Sequence, residues 1–503
     1  MFKCKLSLFK PFAFLSGALF STLCQATDIT QADSHFFDKN YQAAQAAYTE
    51  LSQVGNARAF YQLGVMHLDG LGVDKNRLKA ILWFDLAADQ NFSDAEQVVQ
   101  DLLAASSEQA RPDILKLITH FRQQFGWQQV KQAYFPVIKP QTLTDKIYFG
   151  ESVNDKSGFY DSRAEALFEN SIEHFPDEVS QDAIEADFFS GRPEKMDFLN
   201  RAYSAIVDYE VAPDGSTRNL EITQEIGRLH QQVVPNLKEF TTTPPQFNQT
   251  KASFISRAFI GLAGQTETFI RKRQENIYIG LNRAVRRLRK DDSLDSQYQL
   301  AMALTSFAWL AKDGEDPAAL LLTAAEGGHP LAQYELGLNL YREQQDIGKA
   351  IYWIGEAAKA GVAKAEYRLA NILLTSPWVE KDEDKALFWL QSAIEKSHVA
   401  ALLSASELSL LANNEKLHNV ETAQAYLSQI PEDEQDNPQY EYLQAMVNVK
   451  KVPRELSKAV KHLRSAIDLA EDLNWDVSDW QSTLSGWTSD GKVTVVDEPT
   501  AKR

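Results

Sequence analysis

Small and apolar residues recur along this chain in steps of three and four, and the same set returns after a fixed interval. Ala44 and Ala80, Leu51 and Ala87, Gly55 and Asn91, and Ala59 and Ala95 are pairs 36 residues apart. The same interval joins Ala350 to Ala386, Trp353 to Trp389, Gly361 to Ser397 and Ala365 to Ala401. A fixed period of this size marks a repeat array, in which each unit buries its apolar face against its neighbours. In the clearest unit, Ala59-Phe60-Tyr61-Gln62-Leu63-Gly64 and the run Ala80, Trp83-Phe84, Ala87-Ala88 each keep one apolar face at helical spacing. Between them Asp69-Gly70-Leu71-Gly72 supplies a turn, because glycine tolerates the positive φ that ends one helix and opens the route to the next. Gly64, Ala80 and Ala87 are small enough for the two helices to approach closely.

This order (LG, GxGV, KA, WF, AA) resembles the Sel1-like repeat, an α/α unit related to tetratricopeptide repeats. Within 59–95 the resemblance is close, with His67 and Asn91 as departures from the usual Tyr and Gly. A half unit precedes it, at Tyr41, Ala44, Ala47-Tyr48, Leu51 and Gly55. A second array runs from Ala332, Tyr334, Leu336-Gly337, Lys349-Ala350, Trp353 and Ala357-Ala358 into Ala365, Tyr367, Lys385-Ala386, Trp389 and Ala393. Arg342 to Ile347 replaces its glycine turn with a shorter polar one. Tyr298, Leu300 and Ala301 open this array, and Ala423 and Ala459 suggest decayed units. The resemblance implies a binding scaffold whose concave face is lined by the first helix of each unit. Tyr61, Gln62, Gln333, Tyr334, Glu366 and Tyr367 are its candidate contact residues.

The middle of the chain has a different rhythm. Ala205, Val207, Tyr209 and Val211 alternate with Ile206, Asp208, Glu210 and Ala212, the period-two pattern of a half-buried strand. Pro213-Asp214-Gly215-Ser216 is a turn tetrad, and alternation resumes through Asn219-Leu220-Glu221-Ile222. A helix over Gln224 to Lys238 follows. This segment resembles the hairpin of TonB C-terminal domains, without their proline-rich spacer or uncleaved anchor. The resemblance implies strand addition along Ala205 to Val211 to an outer-membrane partner.

Residues 105–190 read as helices with loops, the helices at Ile114 to Phe125, Val130 to Tyr134 and Ala164 to His174, with Trp127 and Phe135 as core. The chain is acidic, with formal net charge −18 over 503 residues, which disfavours nucleic acid and anionic lipid as general partners. Arg271, Lys272, Arg273, Arg283, Arg286, Arg287, Arg289 and Lys290 are the exception. That run either grips an acidic partner, such as a phosphate-bearing envelope polymer, or is a solvated face or ion-paired within the chain.

At the N-terminus, Lys3, Lys5 and Lys10 precede an apolar run from Phe12 to Leu23 and then Cys24-Gln25-Ala26. About 12 apolar residues are too few to span a bilayer, which needs roughly 20. The pattern reads as a signal peptide cleaved near Ala26, placing the protein in the periplasm. Lipidation at Cys24 is the alternative. Both cysteines, Cys4 and Cys24, lie in this leader, so the mature chain would hold no disulfide, thiolate metal site or cysteine nucleophile.

No histidine pair has metalloprotease spacing, and no serine sits in a nucleophile elbow. His67 and His329 read as packing or capping residues. Glu151 with Asp155, and Asp182 with Glu185, are carboxylate pairs of a kind that 69 acids produce by chance. No catalytic residue, cofactor or metal is assigned.

The expected fold is mainly α, an α/α-solenoid in two arrays flanking a small α+β domain. The leader spans 1–26, the first array 34–104, a helical connector 105–190, the TonB-like module 191–250, a basic helical segment 251–292 and the second array 293–470. Residues 471–503 form a capping segment, in which Trp475, Trp480 and Trp487 cover the last repeat, and a disordered tail. The expected function is a non-enzymatic periplasmic scaffold for a protein or peptide partner, with no transmembrane segment after leader cleavage. Alternatives are an envelope transport component using 191–250 for strand addition, and a hydrolase with an unrecognised site in 105–290.

Overall fold

The structure, a computed structural model, describes residues 28–150, 204–226 and 237–489. The leader with Cys24, the expected helix at 164–174, both carboxylate pairs, most of the helix after the hairpin and the tail lie outside those residues.

The N-terminal array consists of α1 (Ile29–Phe37), α2 (Tyr41–Gln53), α3 (Ala57–Asp69), α4 (Arg77–Ala88) and α5 (Ala95–Ala104). Asn56 and Asn76 cap α3 and α4, each side chain accepting from the backbone N–H three residues on. Gly70 ends α3 in the left-handed region. The close approach expected at Gly64 is real, since a Cβ there would lie 2.9 Å from the Phe84 ring. His67 is buried within α3.

Helices α6 (Arg111–Phe125) and α7 (Trp127–Tyr134) follow. The helices expected at 114–125 and 130–134 fall within α6 and α7, and the loop left after them comes next. Pro136 stops α7, and the chain passes through a single 3-10 turn at Pro140–Thr142 to β1 (Tyr148–Phe149), strapped along the second array. Repeat side chains hold this strap by its backbone. Trp389 Nε1 donates to Tyr134 O at 2.7 Å, Lys385 Nζ to Phe135 O at 3.0 Å and Trp378 Nε1 to Asp145 O at 3.0 Å.

The hairpin forms as β2 (Ser204–Val211) and β3 (Thr217–Ile226), joined by the turn at Gly215, whose φ is +89°. Strands β4 (Pro245–Phe247) and β5 (Thr250–Lys251) make a small sheet with β1, in the order β1-β4-β5. Then β6 (Phe254–Gly261) pairs antiparallel with β2, giving the main sheet the order β3-β2-β6. The third strand therefore comes from the stretch expected to open the basic helical segment. Strand addition along Ala205 to Val211 is overturned. β2 is the central strand, its hydrogen-bonding groups are taken on both sides, and it is buried along its whole length rather than on one face.

Helices α8 (Glu267–Arg273) and α9 (Glu275–Leu288) carry the basic run. The second array comprises α10 (Leu294–Ser306), α11 (Pro317–Glu326), α12 (Pro330–Glu343), α13 (Ile347–Lys359), α14 (Ala363–Thr375), α15 (Glu383–Glu395), α16 (Val399–Leu411), α17 (Val420–Leu427), α18 (Pro438–Lys450), α19 (Leu456–Asp472) and α20 (Ser478–Ser489). His329 and His398 cap α12 and α16 through Nδ1. Trp475 packs with Leu463 and Ile467, and Trp480 stacks on Tyr442 at 4.7 Å, so these residues cover the last repeat.

The two arrays meet. Ile29 N donates to Ala360 O at 2.9 Å, Asn56 Nδ2 to Lys359 O at 2.9 Å and Lys359 Nζ to Gln90 Oε1 at 2.8 Å. The main core joins the sheet, the strap and helices α12 to α16. Among the described residues, no helix is long and apolar enough to cross a membrane.

Candidate functional site

Tyr334 on α12 and Tyr367 on α14 hold the same position in successive repeats, and both point at the main sheet. Tyr367 donates its hydroxyl to Glu210 at 3.0 Å, and Tyr334 to Glu221 at 3.4 Å. Neighbouring repeat residues supply the countercharge. Arg368 reaches Glu210 at 2.8 Å, and Asn371 reaches the same oxygen at 3.2 Å. Lys364 lies 3.4 Å from Glu221 and donates to Ile222 O at 2.9 Å. Asn219, at φ +47° beside a register shift in the hairpin, turns its amide onto both Glu210 and Tyr367.

A second cluster centres on Asp208. Arg257 of β6 grips it through two bonds of 2.7 and 2.8 Å and bridges on to Glu335 of α12. Arg342 and Thr223 complete the carboxylate's partners at 3.0 and 2.7 Å. Burial pushes the Asp208 pKa up, but the Arg257 and Arg342 charges outweigh it and hold the group well below the usual carboxylate range. Glu221 is likewise held low, by His398 and Lys364 against its burial. Burial and the facing carboxylates raise the phenols of Tyr334 and Tyr367, so both stay protonated donors.

This face is therefore occupied. The sheet presents Asp208, Glu210 and Glu221, and the array answers with Arg342, Arg368, Lys364 and His398. The six residues expected to line one open groove are dispersed. Tyr61 is half-buried and bonds Asp94 at 2.8 Å within its own array, with Gln62 half-buried beside it. Gln333 is buried and donates to Ala325 O between repeats, at 3.1 Å. Tyr334 and Tyr367 lie under the sheet. Asp208 and Glu210 were visible beforehand only as the polar half of an alternation, and Arg368 only as the neighbour of Tyr367.

Glu366 borders an open space. A cleft of about 400 Å³ lies between α2 of the first array and α14, α15 and α17 of the second. Leu51, Val54, Ala358, Ile394, Phe388 and Tyr426 give it apolar walls. Within it, Lys396 is bound to Glu366 at 3.0 Å, and Ser392 donates to the same carboxylate at 2.8 Å. Glu50 and Glu395 line the cleft as well. Burial raises the Glu395 pKa, the Glu50 charge adds to the shift, and Lys396 opposes it. Among the described residues, no group of three or more His, Cys, Asp or Glu is placed to hold a metal ion.

Stacked helical pairs whose side chains grip a strap on one flank and a sheet on another define a helical-repeat protein. More particularly, the chain carries Sel1 repeats. The Sel1 repeat model matches residues 57–92, 330–362, 363–398 and 449–470, which are the α3–α4, α12–α13 and α14–α15 hairpins and most of α19. Similar solved structures include a Sel1 repeat protein from Oxalobacter formigenes, 18% identical, with TM-score 0.28, covering 44% of this chain and 68% of that one. Another is c5321, a protective antigen of uropathogenic Escherichia coli strains displaying an SLR fold. It is 16% identical, with TM-score 0.26, covering 94% of this chain and 88% of that one.

Proposed function

We propose that this chain is a non-enzymatic periplasmic scaffold whose inter-array cleft takes a segment of a protein partner bearing a lysine or arginine beside an apolar residue. Sel1 repeats generally mediate protein–protein interaction. The charged, apolar and small-residue order of the leader supports the compartment. The observation that carries the reading is the cleft's charge. Glu50, Glu366 and Glu395 face one lysine, Lys396, and Glu366 already holds it. A cation entering between Glu50 and Glu395 relieves their repulsion, while the apolar walls bury its neighbour.

The test is selection from a displayed random-peptide library against residues 27–503. Enrichment of peptides pairing a basic with an apolar residue is expected, with affinity falling about tenfold or more in Glu395→Lys and Glu50→Lys variants. Selection that ignores basic residues, or that is unchanged in both variants, refutes the assignment. The pH dependence has a defined sign. A bound cation favours ionised Glu395, so affinity is full above that group's raised pKa and declines as pH falls through it.

A further inference from the structure

We infer that the α8–α9 face docks on an anionic lipid surface. Residues 267–290 carry a net formal charge of +6, against −24 for the rest of the chain. The inward side of α9 is apolar, with Tyr278, Leu281, Val285 and Leu288 packed in one cluster with Ile270, Leu304 and Phe307. Its outward side is cationic. Arg283, Arg286, Arg287 and Lys290 are exposed, as are Arg271, Lys272 and Arg273 at the end of α8.

Of the eight cations in this run, Arg289 is tied internally, gripping Glu315 through bonds of 2.6 and 2.5 Å. The other seven have no carboxylate partner among the described residues. Among the described residues, intramolecular ion pairing, one of the readings the sequence left open, therefore accounts for Arg289 only. Like charges three and four apart on a helix repel, so the stripe works against the helix that carries it, and an anionic surface would relieve that repulsion.

The stripe is not purely polar, and that selects the partner. Ile279 heads the series 279, 283, 286, 290 and is 43% exposed. Beside it, a Cβ added to Gly280 would meet no atom within 4 Å, so nothing described covers this part of α9. Phe259, 39% exposed, lies against Gly264 in the turn leading to α8. A soluble polyanion offers such apolar side chains nothing. A bilayer surface offers phosphates to the cations and an acyl boundary to Ile279. The −24 remainder of the chain is repelled by the same surface, which fixes orientation with the basic face inward.

The experiment is vesicle flotation of residues 27–503 with phosphatidylglycerol-containing or purely phosphatidylcholine vesicles, with heparin-column retention in parallel. Binding to the anionic vesicles alone is expected, weakened about tenfold or more by the Arg283→Glu/Arg286→Glu/Arg287→Glu variant and by high salt. Ile279→Ser should lower vesicle binding a few-fold while leaving heparin retention unchanged, which separates insertion from charge. All four positions are exposed, and an unchanged thermal melt confirms that the variants fold. The inference is overturned by absent vesicle binding, by equal binding of the triple variant, or by heparin retention without flotation, which would identify a soluble polyanion as the partner.

Discussion

Gly337 and Gly280 both sit inside helices and should respond oppositely to the same substitution. A Cβ at Gly337 would lie 2.8 Å from both Ile354 N and Cγ1, and 3.0 Å from Ala350 O. Backbone atoms cannot step aside cheaply, so Gly337→Ala should lose about 1–3 kcal/mol in urea denaturation. Gly280 has open space around it, so Gly280→Ala should gain about 0.5–1 kcal/mol from helix propensity. If both shift the same way, the close-packing account of the repeat glycine fails. That glycine was legible, because Gly64 and Gly337 recur beside leucine at the same repeat position. The cap before each second helix was equally present in the sequence. Asn76, Asp346 and Asp382 each stand three residues before a Lys-Ala pair and accept its lysine N–H.

Strand β2 shows what a single element can hide. Its alternation and the turn at Gly215 announce a hairpin, and the hairpin is there. The same alternation announces a wet polar face, and that face is buried. Asp208 and Glu210 are neutralised by Arg342 and Arg368, 134 and 158 positions further on, and no local pattern reports a partner at that separation. The third strand escaped for a related reason, since Phe254–Gly261 is defined by its pairing to β2 more than by its own rhythm. Removing one member of a buried ionic cluster leaves its partners uncompensated. Asp208→Asn should therefore cost about 3–5 kcal/mol at neutral pH. Because the folded-state pKa of Asp208 is depressed, its contribution is full above the ordinary carboxylate value of about 4 and drains away as pH falls toward the folded value. Thermal melts of both proteins should thus differ most at neutral pH and converge in acid. A gap that holds constant in acid would mean that Asp208 contributes through shape rather than charge.

For the whole molecule, the sheet and the second array share one core, one set of ion pairs and one strap, so they should unfold together. Hydrogen exchange should give amides in β2 and α14 the same opening free energy, whereas early exchange in β2 alone would make the sheet a separate unit. The two arrays and the hairpin between them were readable from periodicity. Their mutual capture was not, because a repeat face offers the same tyrosine and cation to its own chain as to a stranger. That capture has a consequence for how the molecule is made. Glu210 leaves the ribosome 158 positions ahead of Arg368, a wait of roughly 8–30 s at typical elongation speeds. Through that interval the Glu210 carboxylate of the nascent hairpin has the Asn219 amide but no countercharge from Arg368, and one flank is uncovered. The sheet can therefore reach its final packing only after the later helices have emerged.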